Sequence, residues 1–293
     1  MNKLQKNIGF YIILFLVPCI LGYVVFSLLP MFSALYLSFT DWDIIGGTPD
    51  LIGIKNYVDI FTDKEFSRVL LNTFKFIGLY IPSIMFMSFL VANLFNSKVK
   101  GVGGFRVLLF IPVLTSWVAG SIIWRSALNG QYGIVNNLLS LIGIDGPGWL
   151  TDTSWSMVSI VMVSLWKDIG FFSLIIFGGL RGIDKTYYEA AQIDGANRFQ
   201  MMRKITLPLV SPTLFFVLIT TIINSFQLFP QVMVMTGGGP LGSTQVLVER
   251  IYIYGFRYFR MGYASAYAVI LLAIIVFVTL MQMLLQKKWV FYE

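Results

Sequence analysis

Long runs without a charge decide what this chain can fold into. From Ile8 to Thr40 there are 33 residues and no charged side chain, far beyond the about 7–15 residues of a signal-peptide apolar core. No small-residue cleavage site follows, so the run reads as an uncleaved first membrane span, with Pro18 and Pro30 inside it or at its end. Five further apolar stretches have the length of a membrane helix, about 17–25 residues: Phe76–Phe95, Val107–Trp124, Trp155–Leu180, Leu209–Pro230 and Tyr267–Leu285. The expected fold is an all-α membrane protein of six transmembrane helices. Charge supports this: 12% of residues are charged, against about 25% in a soluble domain, and the mean hydropathy is +0.79.

The net charge of +7 does not indicate a nucleic-acid partner, because the Lys and Arg residues cluster in short loops between spans. Lys3, Lys6, Lys98, Lys100, Arg106, the basic residues of 181–204, and Lys287 and Lys288 fall on one side and outnumber those on the other. The positive-inside rule places that side, with both termini, in the cytoplasm. The single cysteine, Cys19, and the absence of histidine leave no disulfide framework and no transition-metal site. No catalytic nucleophile motif and no phosphate-binding G-x-x-x-x-G-K-[ST] loop is present, so the chain is not expected to be an enzyme.

The loop between the fourth and fifth apolar runs is the most distinctive. Thr186 and Glu189 have capping-box spacing, Gly195 offers a helix stop, and a second short helix is expected from Ala196 until Pro208 ends it. Phe199, Met202 and Ile205 would share its apolar face. Charge and periodicity alone suit a helix pair lying on anionic lipid as well as one docked on a protein.

The fixed positions settle more. Glu189-Ala190-Ala191, three residues, Gly195, nine residues, then Ile205-x-Leu207-Pro208 resembles the signature of ABC importer permeases at every fixed position and both spacings. Leu51–Tyr57 and Asn72-Thr73 are similar to the carbohydrate-uptake, maltose-permease-like branch. The resemblance runs from about Leu51 to the end of the chain. It implies residues 1–67 as a first helix with an external loop, 68–286 as the permease domain and 287–293 as a cytoplasmic tail. It also implies that Glu189, Ala190, Ala191, Asp194, Gly195, Ala196, Ile205, Leu207 and Pro208 couple to an ATPase. The implied partners are a second homologous permease, two ATPase subunits that hold the ATP and Mg²⁺, an external solute-binding protein and membrane lipid. The implied cargo is a sugar, oligosaccharide or related polyol, moved by alternating access across a bacterial or archaeal cytoplasmic membrane.

Polar groups within the spans mark where cargo could pass. The fourth span carries Lys167-Asp168 near its centre. Adjacent helical positions point about 100° apart, so at least one of the pair is expected to meet another span, a cavity or a partner. In the fifth span Thr220, Asn224 and Gln227 fall on one helical face, suited both to interhelical hydrogen bonding and to sugar hydroxyls. By resemblance to the maltose importer's permease, Trp166, Asp168, Phe171, Thr220, Asn224 and Gln227 occupy the cargo-contacting stretches. Val246–Arg260 reads as an external interfacial helix. The rival reading is an ion-coupled secondary transporter, whose paired broken helices in two matching halves find no internal repeat here.

Overall fold

The computed structural model describes residues 3–97 and 99–291, with side chains from Ile12 onward; Lys98 of the basic loop, and Tyr292 and Glu293 of the expected tail, lie outside the described residues. In chain order the helices are α1 (Lys3–Tyr23), α2 (Leu29–Leu37), α3 (Lys55–Thr62), α4 (Lys64–Asn96), α5 (Val102–Leu114), α6 (Trp117–Ala127), α7 (Ile134–Leu141), α8 (Ser156–Gly182), α9 (Lys185–Ile193), α10 (Arg198–Met201), α11 (Leu207–Phe226), α12 (Pro230–Met235), α13 (Leu247–Tyr252) and α14 (Met261–Leu285). Five continuous helices are long and apolar enough to cross a membrane. A sixth crossing forms if α5 and α6, bent by 100° at their junction, count as one span.

The chain divides into two compact units: Met1–Asp63 with Arg250–Leu272, and Lys64–Glu249 with Ala273–Glu293. In the first, α1 and α2 are joined by a π-helical turn, Val24–Leu28, placed just before Leu29-Pro30. Proline has no N–H and crowds the carbonyl four residues back, and the wider turn re-registers the hydrogen bonds there. The Ile12–Leu37 span has no buried residues in its most apolar stretch, as expected of a helix whose solvent is lipid. Beyond it, Asn56 Nδ2 donates to the Ser38 and Thr40 carbonyls (3.0 and 2.8 Å). The expected interfacial helix forms as α13 and a following π-turn, Ile253–Arg257, but Glu249 and Arg250 on it are buried.

The second unit holds the main core, centred on α4 and α8. Phe76, Tyr80, Ile84, Ile160, Phe172 and Ile176 are buried there. Helix α4 begins well before the expected Phe76 and runs for 33 residues, about 50 Å at 1.5 Å per residue. Helix α8 covers the expected fourth span. Buried Ser156, Ser159, Ser164, Gly170 and Ser173 are interspersed among its larger core residues, and small residues let membrane helices approach closely. At Gly170 the approach is backbone to side: a Cβ would collide with the Leu109 carbonyl of α5.

The third span differs from expectation. Instead of one helix over Val107–Trp124, the chain breaks at Thr115 and Ser116, both extended. Ser116 restarts the helix as an N-cap, its hydroxyl accepting from the Ala119 N–H (3.1 Å). The fifth span also stops early. Helix α11 ends at Phe226, and Pro230 opens the separate α12 at a position where its missing N–H costs nothing.

Two glycines of one helix should therefore respond oppositely to a methyl group. Gly170→Ala should destabilise the detergent-solubilised protein by about 1–3 kcal/mol through overpacking. Gly178→Ala, with nothing within 4 Å of the added carbon, should be neutral or stabilise by about 0.5–1 kcal/mol through helix propensity. Thermal unfolding of both variants checks the pair.

Candidate functional site

The break between α5 and α6 leaves carbonyls short of helical partners, although Pro112 O still accepts from the Thr115 N–H and hydroxyl (3.2 and 2.7 Å), and these ends carry partial negative charge. Lys167 of α8 meets them. Its Nζ donates to the carbonyls of Pro112 (3.1 Å), Val113 (3.2 Å) and Thr115. It also sits 5.1 Å from the centroid of the Trp117 ring. An ammonium has three donors, and here each finds a carbonyl. Lys167 is 6% exposed. A charge at such depth is expensive, and the open helix end offsets that cost while the lysine in turn caps the break.

Asp168 takes the other direction. Its Oδ2 accepts from the Tyr80 hydroxyl of α4 at 2.7 Å. Among the described residues Lys167 and Asp168 form no salt bridge with each other, as the helical geometry predicts. Asp168 borders a cavity of about 350 Å³ together with Tyr80, Trp117, Asn224, Gln227 and Gln231. Asn224 stands in the last turn of α11 and Gln227 is its C-cap, and both are exposed to the cavity. Gln231, in the first turn of α12, is 5% exposed, and its Oε1 has no hydrogen-bond partner among the described residues. An unmet buried acceptor costs about 1–3 kcal/mol, a cost that a ligand hydroxyl or water at this point would remove.

Three of the six residues expected to meet cargo thus converge, and three do not. Thr220 returns its hydroxyl to the Phe216 carbonyl (2.8 Å) and is not part of the cavity wall. Trp166 packs edge-on against Trp124 (5.5 Å between centroids); two residues from Asp168, it sits about 200° around the helix. Phe171 contacts Phe172 (5.3 Å) and is otherwise exposed. Tyr80, Trp117 and Gln231 take their places. Trp117 follows the Thr115-Ser116 cap signal and Gln231 follows Pro230, so each stands where a helix restarts; nothing in the local sequence marks Tyr80.

The Glu189 segment forms a second site within the same unit. Helix α9 is capped by Asp184, whose carboxylate accepts from the Thr186 N–H (2.9 Å). Hydrogen bonds from Thr186, side chain and backbone, hold the Asp184 carboxyl below its ordinary range. Thr186 therefore lies inside the helix, and the expected box with Glu189 does not form. Gly195 does stop the helix. Its φ is +77°, and the Ala196 and Gly195 amides donate to Ala191 and Gln192 (2.9 and 3.0 Å), a Schellman closure.

The second helix starts at Arg198, two residues later than expected, on a capping box between Asn197 and Gln200 (2.9 and 2.8 Å). Pro208 does not end it. A π-turn at Met202–Thr206 precedes Leu207-Pro208, the same device as before Pro30, and the helix continues into α11. The apolar face is also split, since Phe199 points outward while Met202 and Ile205 are half-buried. Ala191, Asp194, Gly195, Ala196 and Ile205 line a recess of about 390 Å³. Glu189 and Ala190 are exposed, Leu207 is 38% exposed, and Pro208 is half-buried. Ile193 and Phe199 are 88% and 73% exposed and were not singled out as contact residues from sequence.

Residues 61–290 match the family described as binding-protein-dependent transport system inner membrane component. The chain is 35% identical over 284 residues to a probable ABC transporter permease protein of Bacillus subtilis, covering 95% of this chain and 91% of that one. It is 32% identical over 261 residues to a trehalose/maltose transport system permease protein of Thermococcus litoralis, covering 88% and 85%. A crystal structure of a bacterial alginate ABC transporter, in complex with an alginate pentasaccharide-bound periplasmic protein, contains a chain that superposes with a TM-score of 0.86. That chain is 25% identical, with 98% of both chains covered.

Lys167→Met should strand the Val113 and Thr115 carbonyls at about 1–3 kcal/mol for each group left unpaired. Lys167→Arg, which keeps the charge but not the compact ammonium, should recover part of the loss. Thermal unfolding of both, with Trp117 fluorescence as a local probe, checks this; a Lys167→Met protein as stable as the parent would show that the break does not need its lysine.

Proposed function

The chain belongs to the family of binding-protein-dependent transport system inner membrane components, the permeases of ABC transporters, and on that premise we propose that it carries a sugar, oligosaccharide or related polyol across a bacterial or archaeal cytoplasmic membrane by alternating access. It is a transport subunit and not an enzyme. Relatives named for trehalose and maltose, and a solved neighbour named for alginate, support the carbohydrate class. The periplasmic protein in that neighbouring structure supports delivery by an external binding protein. A second permease would complete the pathway, and two ATPase subunits, holding ATP and Mg²⁺, would dock on the Glu189 helix pair. Both termini and that pair would be cytoplasmic, a placement supported by the excess of Lys and Arg on that side. Asp168, Asn224, Gln227 and Gln231 would meet the cargo.

The observation that carries the docking role is the exposure of Ile193 and Phe199 at 88% and 73% beside a recess that the EAA-type residues line. An apolar side chain left this open on a well-capped helix pair suits an anchor that fills a partner's pocket. Ile193→Ser with Phe199→Ser should cut co-purification of the ATPase subunits by at least about tenfold, on the scale of a lost hot spot. Membrane insertion should be unchanged, because neither side chain supports the fold. Co-purification at the parental yield would sink the docking role.

A further inference from the structure

The charges around the cavity are distributed unevenly, and this bears on which glycans can occupy it. Among the described residues that line it, Asp168 is the one carboxylate, and there is no Lys or Arg. The cation closest in sequence is Lys167, and it is not available. Its three donors are engaged by the carbonyls of Pro112, Val113 and Thr115, behind the Trp117 ring that lines the cavity, so none is left for a cargo oxygen. The remaining polar wall consists of the Asn224, Gln227 and Gln231 amides and the Tyr80 hydroxyl. Amides offer donors and acceptors together, which matches sugar hydroxyls, themselves both donor and acceptor. A carboxylate or sulfate on the cargo accepts only, and on this chain's wall it would find Asp168 beside it and no unengaged cation. A charge taken out of water without a partner is strongly penalised.

We infer that this cavity selects uncharged glycans over uronates and sulfated sugars, and that Asp168 is a specificity-determining residue. The inference rests on the reading of the cavity as the cargo site. Gln231 stands in the same wall: its buried Oε1, with no hydrogen-bond partner among the described residues, can accept from a hydroxyl of either kind of sugar but offers nothing to an ionised carboxylate placed against it. The volume of about 350 Å³ lies at the small end of ligand pockets, about 300–1,000 Å³, so one or two sugar rings at a time would be read.

The test is equilibrium dialysis of the assembled transporter in nanodiscs, without the external binding protein. The probes are labelled neutral trisaccharides of glucose, galactose and mannose, each with its matched tri-uronate. The neutral member of at least one pair should bind at least about tenfold more tightly than its uronate, a difference of about 1.4 kcal/mol. Asp168→Asn should narrow that gap, and Asp168→Lys should close or invert it. If the lysine variant does not assemble, the salt dependence of the parent decides, because uronate binding should strengthen as salt screens the repulsion. Uronates that bind as tightly as their neutral partners in the parent protein would overturn the inference. So would a gap that neither Asp168→Asn nor salt alters. Asn224→Ala and Gln227→Ala separate the two levels. If they weaken neutral binding while no charge preference exists, the selectivity alone is wrong. If neutral binding is absent, or indifferent to both amides, the cargo site itself is misplaced.

Discussion

Lys167 bonded to the open end of α5 is the contact on which the site depends. A membrane helix bent by 100° exposes carbonyls that lipid cannot satisfy, so the bend exists only if something inside the protein meets them. The lysine does so with three hydrogen bonds. The bend then turns Trp117 toward the cavity, and the same stretch of α8 presents Asp168 to Tyr80 about 100° around the helix. Two adjacent charges, which sequence alone could treat as a pair, thus do separate work. One holds the broken span in place, and the other gives the cavity its sign.

The second structural constraint is continuity. From Arg198 to Phe226 the chain is helical for 29 residues, about 43 Å, beginning at the capped helix pair and carrying Asn224 in its last turn. The π-turn at Met202–Thr206 lets Pro208 sit inside this helix without cutting it. The Tyr188 hydroxyl meets Thr206 Oγ1 at 2.9 Å, tying α9 to the same turn. In the proposed mechanism, a displacement of the helix pair by a bound ATPase reaches the cavity along one rigid element. No flexible joint needs to be invoked between them.

Much of this was legible in the sequence because it follows from composition and fixed spacing. The long apolar runs located the spans, Gly195 marked a left-handed stop that few other residues tolerate, and the EAA-type spacing identified the family. What the sequence left hidden depends on contacts distant in the chain. The break at Thr115-Ser116 needs Lys167, fifty residues away, to be stable, so hydropathy smoothed over it. Pro208 reads as a terminator unless the π-turn before it is known. Thr186 lost the cap position to Asp184, which lies two residues earlier and also has a capping side chain. Gln231 gave no signal beyond its place after Pro230, and Tyr80 is one aromatic residue among many in an apolar helix.

In the proposed mechanism, cargo passes through the cavity beside the break that Lys167 caps. The most direct measurement is an electron cryomicroscopy map of the assembled transporter, with its ATPases locked by a non-hydrolysable nucleotide and a neutral oligosaccharide trapped inside. Sugar density should lie within hydrogen-bonding distance of Asn224, Gln227 and Gln231, with Lys167 still seated on the carbonyls between α5 and α6. Sugar density away from these side chains, or a straight third span with Lys167 turned into the pathway, would contradict it.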